Sequence, residues 1–223
     1  MIIGILGIAG SGKDTIADYL VENYNYKKDS FAKSLKDATA VMFNWDREML
    51  EGSTPESRAQ REIPDQWWSE KLEMSWSPRI ALQHLGTNVL RKKFYDGIWL
   101  SSLENRLLTA KHNTVISDVR FPNEVELIRR SNGILICVER GEQPEWQFTA
   151  TQANRGESNS RIIMQTKYSD VHESEWAWSG TETDYTIDNN SSYSKLYKQV
   201  DKIITTLSPE TIVVKSKPHL TLV

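Results

Sequence analysis

Apolar residues run without a break from Ile2 to Leu6, as expected of a strand buried on both faces of a parallel sheet. Beyond a glycine-rich stretch, Ile16, Ala17, Leu20, Val21 and Tyr24 share one face of a predicted helix over 13–24. Residues 29–31 are too short a run to assign. Leu35, Ala38, Met42 and Met49 predict one helix over 35–50, whereas 51–78 is polar, holds Pro55, Pro64 and Pro78, and shows little periodicity. Helices are predicted over 78–94, with a Leu82, Leu85, Val89 stripe, and over 98–109. Val115-Ile116 opens a buried strand ending at Ser117-Asp118, and Pro122 starts a helix to about residue 131. Ile134 to Val138 is the clearest buried strand. Residues 141–182 read as polar and irregular, longer than a connection needs, which predicts a lid or binding loop. A last core strand over 184–187 and an amphipathic helix over 193–207 follow, and 211–214 reads as an edge strand or tail. Strands alternating with helices predict an α/β sandwich with a central parallel sheet.

Composition narrows this picture. A length of 223 residues suits a single domain, 1–223, carrying an inserted lid. The one cysteine, Cys137, excludes a disulfide framework and a cysteine zinc site and fits a reducing compartment. With 27 Lys+Arg against 30 Asp+Glu, the net charge of -3 argues against a nucleic-acid coat or a polybasic membrane binder. No apolar run approaches the ~18 residues of a membrane span. The apolar start has no basic residues before it, so a signal peptide is not expected. Tryptophan is over-represented, with eight residues, and Trp45, Trp67, Trp68 and Trp76 lie close together. They read as a satellite core in preference to a base-stacking platform.

The chemistry starts at Gly7-Ile8-Ala9-Gly10-Ser11-Gly12-Lys13-Asp14-Thr15, between the first strand and the first helix. Glycines there let backbone N–H groups turn inward onto phosphate oxygens, the helix N-terminus adds partial positive charge, and Lys13 reaches the β- and γ-phosphates. The strict pattern has Ser or Thr after the lysine, to hold Mg²⁺; here Asp14 stands in that place and Thr15 comes second. Either Asp14 holds Mg²⁺ through water and Thr15 bonds the α-phosphate, or the stretch is a turn that only resembles the motif. The strand end Ser117-Asp118 supplies a second acid, but Arg120 follows where a hydrolase would carry a water-activating glutamate. An arginine there suits phosphoryl transfer, which needs positive charge over the migrating group. Arg79, Gln83, Thr87 and Arg91 recur every four residues on the helix over 78–94. They read either as a clamp for a second phosphate or as an ordinary solvated face. His172-Glu173-Ser174-Glu175 reads as a loop-locking group, and Cys137 as core packing.

Several of these pieces occur together in a known family. Gly10-Ser11-Gly12-Lys13-Asp14-Thr15, Phe31 to Asp37, Pro78-Arg79 with Leu82 to Thr87 and Arg91, Trp99, Ser117 to Glu124, His172 to Glu175 and Ile187-Asp188-Asn189 follow in order. In these the chain resembles the deoxynucleoside monophosphate kinases of tailed bacteriophages, a branch of the P-loop nucleoside monophosphate kinases. The resemblance implies a P-loop NTPase-type three-layer sandwich, with an acceptor-binding helical region over about 32–111 and a lid or insertion over about 141–182. It implies transfer of the γ-phosphoryl group of ATP to a deoxynucleoside monophosphate, giving the diphosphate and ADP, with Mg²⁺. Lys13, Asp118 and Arg120 are the catalytic candidates. Gly10, Ser11, Gly12, Lys13, Asp14, Thr15 and Arg140 would hold ATP, and Asp14 and Thr15 the metal. Lys36, Arg79, Gln83, Thr87, Arg91 and Glu124 would bind the acceptor, with Arg140, Arg155 or Arg161 arriving as a lid closes. The partners implied are the two nucleotides, with no nucleic acid or membrane, in the cytoplasm of an infected host, and a homodimer as a family-level expectation. Ser34 stands where the family tends to have proline, which is expected to loosen the start of the acceptor-site helix, and 147–170 reads as an insertion. Two rivals remain: a small P-loop kinase with a non-nucleotide acceptor, and a non-catalytic ATP-binding regulatory or packaging subunit.

Overall fold

A computed structural model describes residues 1–207, so the expectation for 211–214 lies outside the described residues. The chain divides into two compact units, one formed by Met1–Asp29 with the chain from Ala110 onward, the other by Ser30–Thr109.

In chain order the elements are β1 (Ile2–Leu6), α1 (Lys13–Tyr24), β2 (Tyr26–Asp29), α2 (Lys33–Phe43), α3 (Arg47–Glu51), α4 (Pro55–Glu62) and α5 (Gln66–Leu72). Next comes α6 (Pro78–Gln83), which runs on into a wide-turned helical segment, His84–Phe94, and then α7 (Ile98–Thr109) and β3 (Asn113–Ile116). The remainder is α8 (Pro122–Arg130), β4 (Ile134–Glu139), α9 (Trp146–Asn154), α10 (Ser158–Thr166), α11 (Glu173–Trp176), β5 (Tyr185–Asp188) and α12 (Tyr193–Leu207).

The first unit is built on a five-stranded sheet in the order β2-β3-β1-β4-β5, with every pairing parallel. Alternation along β1 sends its side chains to two different layers. Ile3 and Ile5 join Ile16 and Leu20 of α1 and Leu196, Val200 and Ile203 of α12 in one core. Burying each such side chain is worth roughly 1.5–3 kcal/mol. Asp201 of α12 also accepts hydrogen bonds from Tyr19 (2.8 Å) and Tyr24 (2.6 Å) of α1. Gly4 faces the opposite way, where a Cβ would stand 3.1 Å from Ile128 of α8. The sheet therefore lies between two helical layers, the three-layer α/β sandwich expected. Because β1 is flanked by β3 and β4, the sheet's switch in strand order falls at its carboxyl end, where open α/β sheets bind ligands.

The segment over 141–182 is helical, contrary to the irregular loop expected. Small residues let α9 and α10 pack closely, so Ala150, Ala153, Met164 and Trp176 make a small core of their own. The Asn154 carboxamide ties it together by donating to the carbonyls of Trp176 (3.0 Å) and Ser179 (2.9 Å).

The second unit is all helix. The single helix expected over 35–50 is broken at Asn44, whose φ of 55° is left-handed, and the chain resumes as α3 under an Asp46 cap. The polar stretch 51–78 holds α4, capped by Thr54 with Pro55 at its first position, and α5, capped by Asp65. Phe43, Trp76 and Ala81 form the core, flanked by Trp45, Trp68 and Leu85, so these three tryptophans pack as the sequence predicts, while Trp67 is 57% exposed. Two of the indoles also donate as cross-links, Trp45 to Asp65 (2.8 Å) and Trp68 to the Phe43 carbonyl (3.1 Å). At the start of α2, Ser34 meets two residues of α7. Its hydroxyl lies 2.7 Å from Ser102 and accepts from Arg106 at 2.7 Å, a clasp between α2 and α7.

Candidate active site

The glycine loop joins β1 to α1 at the centre of the sheet. Gly7 and Gly12 adopt φ of 144° and 104°, which L side chains rarely reach. A Cβ on Gly7 would lie 2.5 Å from the Val138 carbonyl, and one on Gly12 would collide with the Asn189 carboxamide. Asn189 itself donates to the Ser11 carbonyl at 2.7 Å, pinning the loop from the end of β5. The Ser11 hydroxyl is buried and has no hydrogen-bond partner among the described residues.

Lys13 folds its ammonium over the loop, donating to the carbonyls of Gly7 (2.9 Å) and Ile8 (2.8 Å). Burial, followed by the charge of Arg120, lowers its pKa. Two cations that repel one another beside a helix N-terminus make a place for an anion. The Arg140 guanidinium donates to the Gly10 carbonyl at 3.3 Å, on the same loop.

Asp14 is held from two sides. Its Oδ1 accepts from the Ser117 hydroxyl (2.8 Å) and pairs with the Lys28 ammonium (2.9 Å), which also meets Asp18 (3.1 Å). Partial burial pulls the Asp14 carboxyl upward, but Lys28, Ser117 and Lys13 outweigh this and hold it below the ordinary carboxylate range. In the usual loop a hydroxyl follows the lysine and the acid stands on a neighbouring strand. Here Asp14 follows the lysine in the first turn of α1, and the hydroxyl of Ser117 follows β3 with Asp118 next to it.

Arg120 is oriented by groups at both ends. Its guanidinium donates to Glu175 (2.8 Å) and Ser174 (3.3 Å), while its backbone N–H donates to the Glu124 carboxylate (2.7 Å). Glu124 also accepts from the Phe121 N–H (3.1 Å) and is buried, so it caps α8. Expected among the acceptor ligands, Glu124 gives one of its two oxygens, Oε2, to these backbone groups. Burial and nearby Asp118 push its pKa up to about 8. His172 caps α11, its Nδ1 accepting from the Ser174 N–H at 3.2 Å.

In the helical unit, Arg79 and Arg91 pair with Glu62 (3.3 Å) and Asp96 (3.0 Å), and Gln83 and Thr87 are exposed. The four do not continue around one α-helical face. From His84 the turns widen, with Tyr95 N–H donating to the Leu90 carbonyl five residues back, so Thr87 and Arg91 are set differently from Arg79 and Gln83. Gly86 lies in this wide stretch, its carbonyl accepting from the Trp99 indole (3.0 Å). A Cβ on Gly86 would press to 2.7 Å from Leu35. Lys36, expected at the acceptor, pairs with Glu51 at 2.6 Å, because Glu51 faces it from α3 beside Arg47. On the same unit Phe43, Trp68, Trp76 and His84 line an apolar pocket of about 420 Å³.

Sequence reasoning left out Lys28 and Ser117 and gave Glu175 no partner. Lys28 had one available signal, a cation beside Asp29 shortly before the helical region. Arg155 and Arg161, the other lid candidates, are exposed on the α9–α10 segment. Among the described residues no three His, Cys, Asp or Glu side chains cluster as a metal cage, and no helix is long and apolar enough to cross a membrane.

A family model described as deoxynucleotide monophosphate kinase matches residues 51–163, a stretch that includes α6, the whole of β3 and most of the segment read as an insertion. A protein of Acanthamoeba polyphaga mimivirus described as a deoxynucleotide monophosphate kinase is 33% identical over 154 residues, covering 63% of this chain and 74% of its own. The deoxynucleoside-5'-monophosphate kinase of Escherichia phage T5 is 28% identical over 222 residues, covering 71% of this chain and 84% of its own. Among solved structures, shikimate kinase from Aquifex aeolicus vf5 superposes with a TM-score of 0.44 at 11% identity, over 95% of this chain and 100% of that one.

Proposed function

The chain belongs to the deoxynucleotide monophosphate kinase family, and we propose that it carries the γ-phosphoryl group of ATP to a deoxynucleoside monophosphate, releasing ADP and the diphosphate. The observation that carries this reading is the glycine loop at the end of the central strand, with the Lys13 ammonium folded over it onto the Gly7 and Ile8 carbonyls.

Phosphoryl transfer asks a protein for positioning and positive charge more than for covalent chemistry. The loop N–H groups and Lys13 hold the β- and γ-phosphates of ATP, and Arg140 steadies the loop from outside. The buried Ser11 hydroxyl, without a partner among the described residues, suits a phosphate oxygen. Arg120 neutralises the charge that builds on the migrating group, and Glu175 and Ser174 keep its guanidinium aimed. Asp118 orients the acceptor or the metal. In the helical unit, Arg79 and Arg91 exchange Glu62 and Asp96 for the acceptor's phosphate. Exposed ion pairs are worth about 1 kcal/mol or less, so the exchange costs little. Gln83 and Thr87 supply amide and hydroxyl contacts to the same molecule.

The oxygen donors Asp14 and Thr15 suit Mg²⁺, which usually takes one or two carboxylates together with substrate phosphates. When bound, the ion supplies neutralisation of the β- and γ-phosphate oxygens. A reducing cytoplasm suits a chain with one cysteine.

The test is ADP release measured against each of the four common deoxynucleoside monophosphates. Release should rise by about a hundredfold or more with at least one of them, the scale of a positioning effect. ADP formed equally fast without an acceptor would overturn the reading.

A further inference from the structure

We propose that Lys28 is a positioning residue that keeps the acidic phosphate loop neutral enough to accept a nucleotide. The inference rests on the reading that this loop holds nucleotide phosphates.

Asp14 sits in the first turn of α1, at the end that carries the helix's partial positive charge. A carboxylate there competes with an incoming phosphate for the same field and repels it. Asp18 lies one turn further on, a like charge at the spacing where helix side chains meet. The lysine that answers both comes from β2, a different element. Its ammonium stands 2.9 Å from Asp14 and 3.1 Å from Asp18, bridging them. The Asp14 oxygen that Lys28 meets also accepts the Ser117 hydroxyl at 2.8 Å, so both contacts draw the carboxylate toward the β2–β3 side of the loop. Lys13 also helps to hold the Asp14 carboxyl down, but its ammonium is bonded to the loop carbonyls, and Lys28 is the cation in contact with both aspartates. With Lys28 charged, the two aspartates and the lysine sum to one negative charge; without it they sum to two, beside a polyphosphate. The Lys28 side chain is 37% exposed and that of Asp14 75%, so solvent and salt screen the bridge and its effect on binding should weaken as salt rises.

The experiment compares ADP binding by calorimetry in EDTA, which keeps metal ligation out of the readout. Lys28→Met preserves the aliphatic stem and removes the charge. It should weaken ADP about three- to fivefold, the scale of an exposed charge pair, while Lys28→Arg stays close to wild type. Adding Asp14→Asn to Lys28→Met should recover most of the loss, because the unanswered charge is gone. In turnover, Lys28→Met should raise KM for ATP and leave KM for the acceptor unchanged, with the circular dichroism spectrum and melting curve of wild type. Lys28→Met binding ADP as wild type does, or an Asp14→Asn double variant that recovers nothing, overturns the inference and leaves the loop reading intact. If wild type takes up no ADP, both fall together.

Discussion

Two glutamates flank Arg120, and they do different work. Glu175 meets its guanidinium and Glu124 its backbone. Glu175→Gln removes the charge that aims the guanidinium but not the fold around it. Steady-state kinetics should show kcat down about tenfold with both KM values little changed, the pattern of an interaction made in the transition state. Glu124 titrates from an ordinary 4.5 up to about 8, raised first by burial and then by Asp118. A carboxyl that holds its proton more tightly when folded adds stability that is complete below 4.5 and is lost as pH rises through 8. The melting temperature of wild type should therefore fall between pH 5 and pH 9 more steeply than that of Glu124→Gln, whose amide oxygen still accepts the two N–H groups. Parallel melting curves for the two proteins would show that Glu124 does not hold its proton in this way. At this scale the phosphate loop was readable from sequence, because its residues are contiguous and each has a backbone or charge reason. The partners of Asp14 and Arg120 were not, since Lys28, Ser117 and Glu175 come from distant parts of the chain.

Helices with one long apolar face were equally readable: those over 13–24, 98–109 and 193–207 form with the predicted bounds. The short ones were not, because their apolar faces are slight. No residue of α4 or α5 is buried, and what marks them is capping, Thr54-Pro55 and Asp65. β2 escaped notice for a related reason, being an edge strand of sequence Tyr-Lys-Lys-Asp with only Tyr26 buried. In α9 small alanines carry the packing, against Met164 of α10, which hides the stripe among polar neighbours. Asp65 matters beyond its size, since it caps α5 through the Trp68 N–H and also accepts the Trp45 indole. Asp65→Ala should lower the unfolding free energy by about 1–2 kcal/mol, read from urea denaturation with an unchanged m-value.

The division into a sheet unit and a helical unit gives the whole molecule two separately addressable parts. ATP at a hundred times its Kd stabilises what it binds by about 2.7 kcal/mol, so amide exchange should slow chiefly in the sheet unit. The acceptor should protect α6 and its wide-turned continuation instead. A chain of net charge -3 that binds anions must do so through local cations, so KM for ATP should rise several-fold between 50 mM and 500 mM salt as those charges are screened. An unchanged KM would show that the loop's N–H groups, not its side-chain charges, carry the binding. One feature of β4 makes such questions open to spectroscopy. Cys137 is the chain's one thiol, and burial with Glu139 nearby pushes its pKa up to about 11, so at neutral pH it is protonated and slow toward electrophiles. The wild-type protein thus offers a nearly silent background for maleimide dyes. A cysteine introduced on each unit would accept a donor and acceptor fluorophore, and energy transfer between them would follow the two units through a turnover cycle.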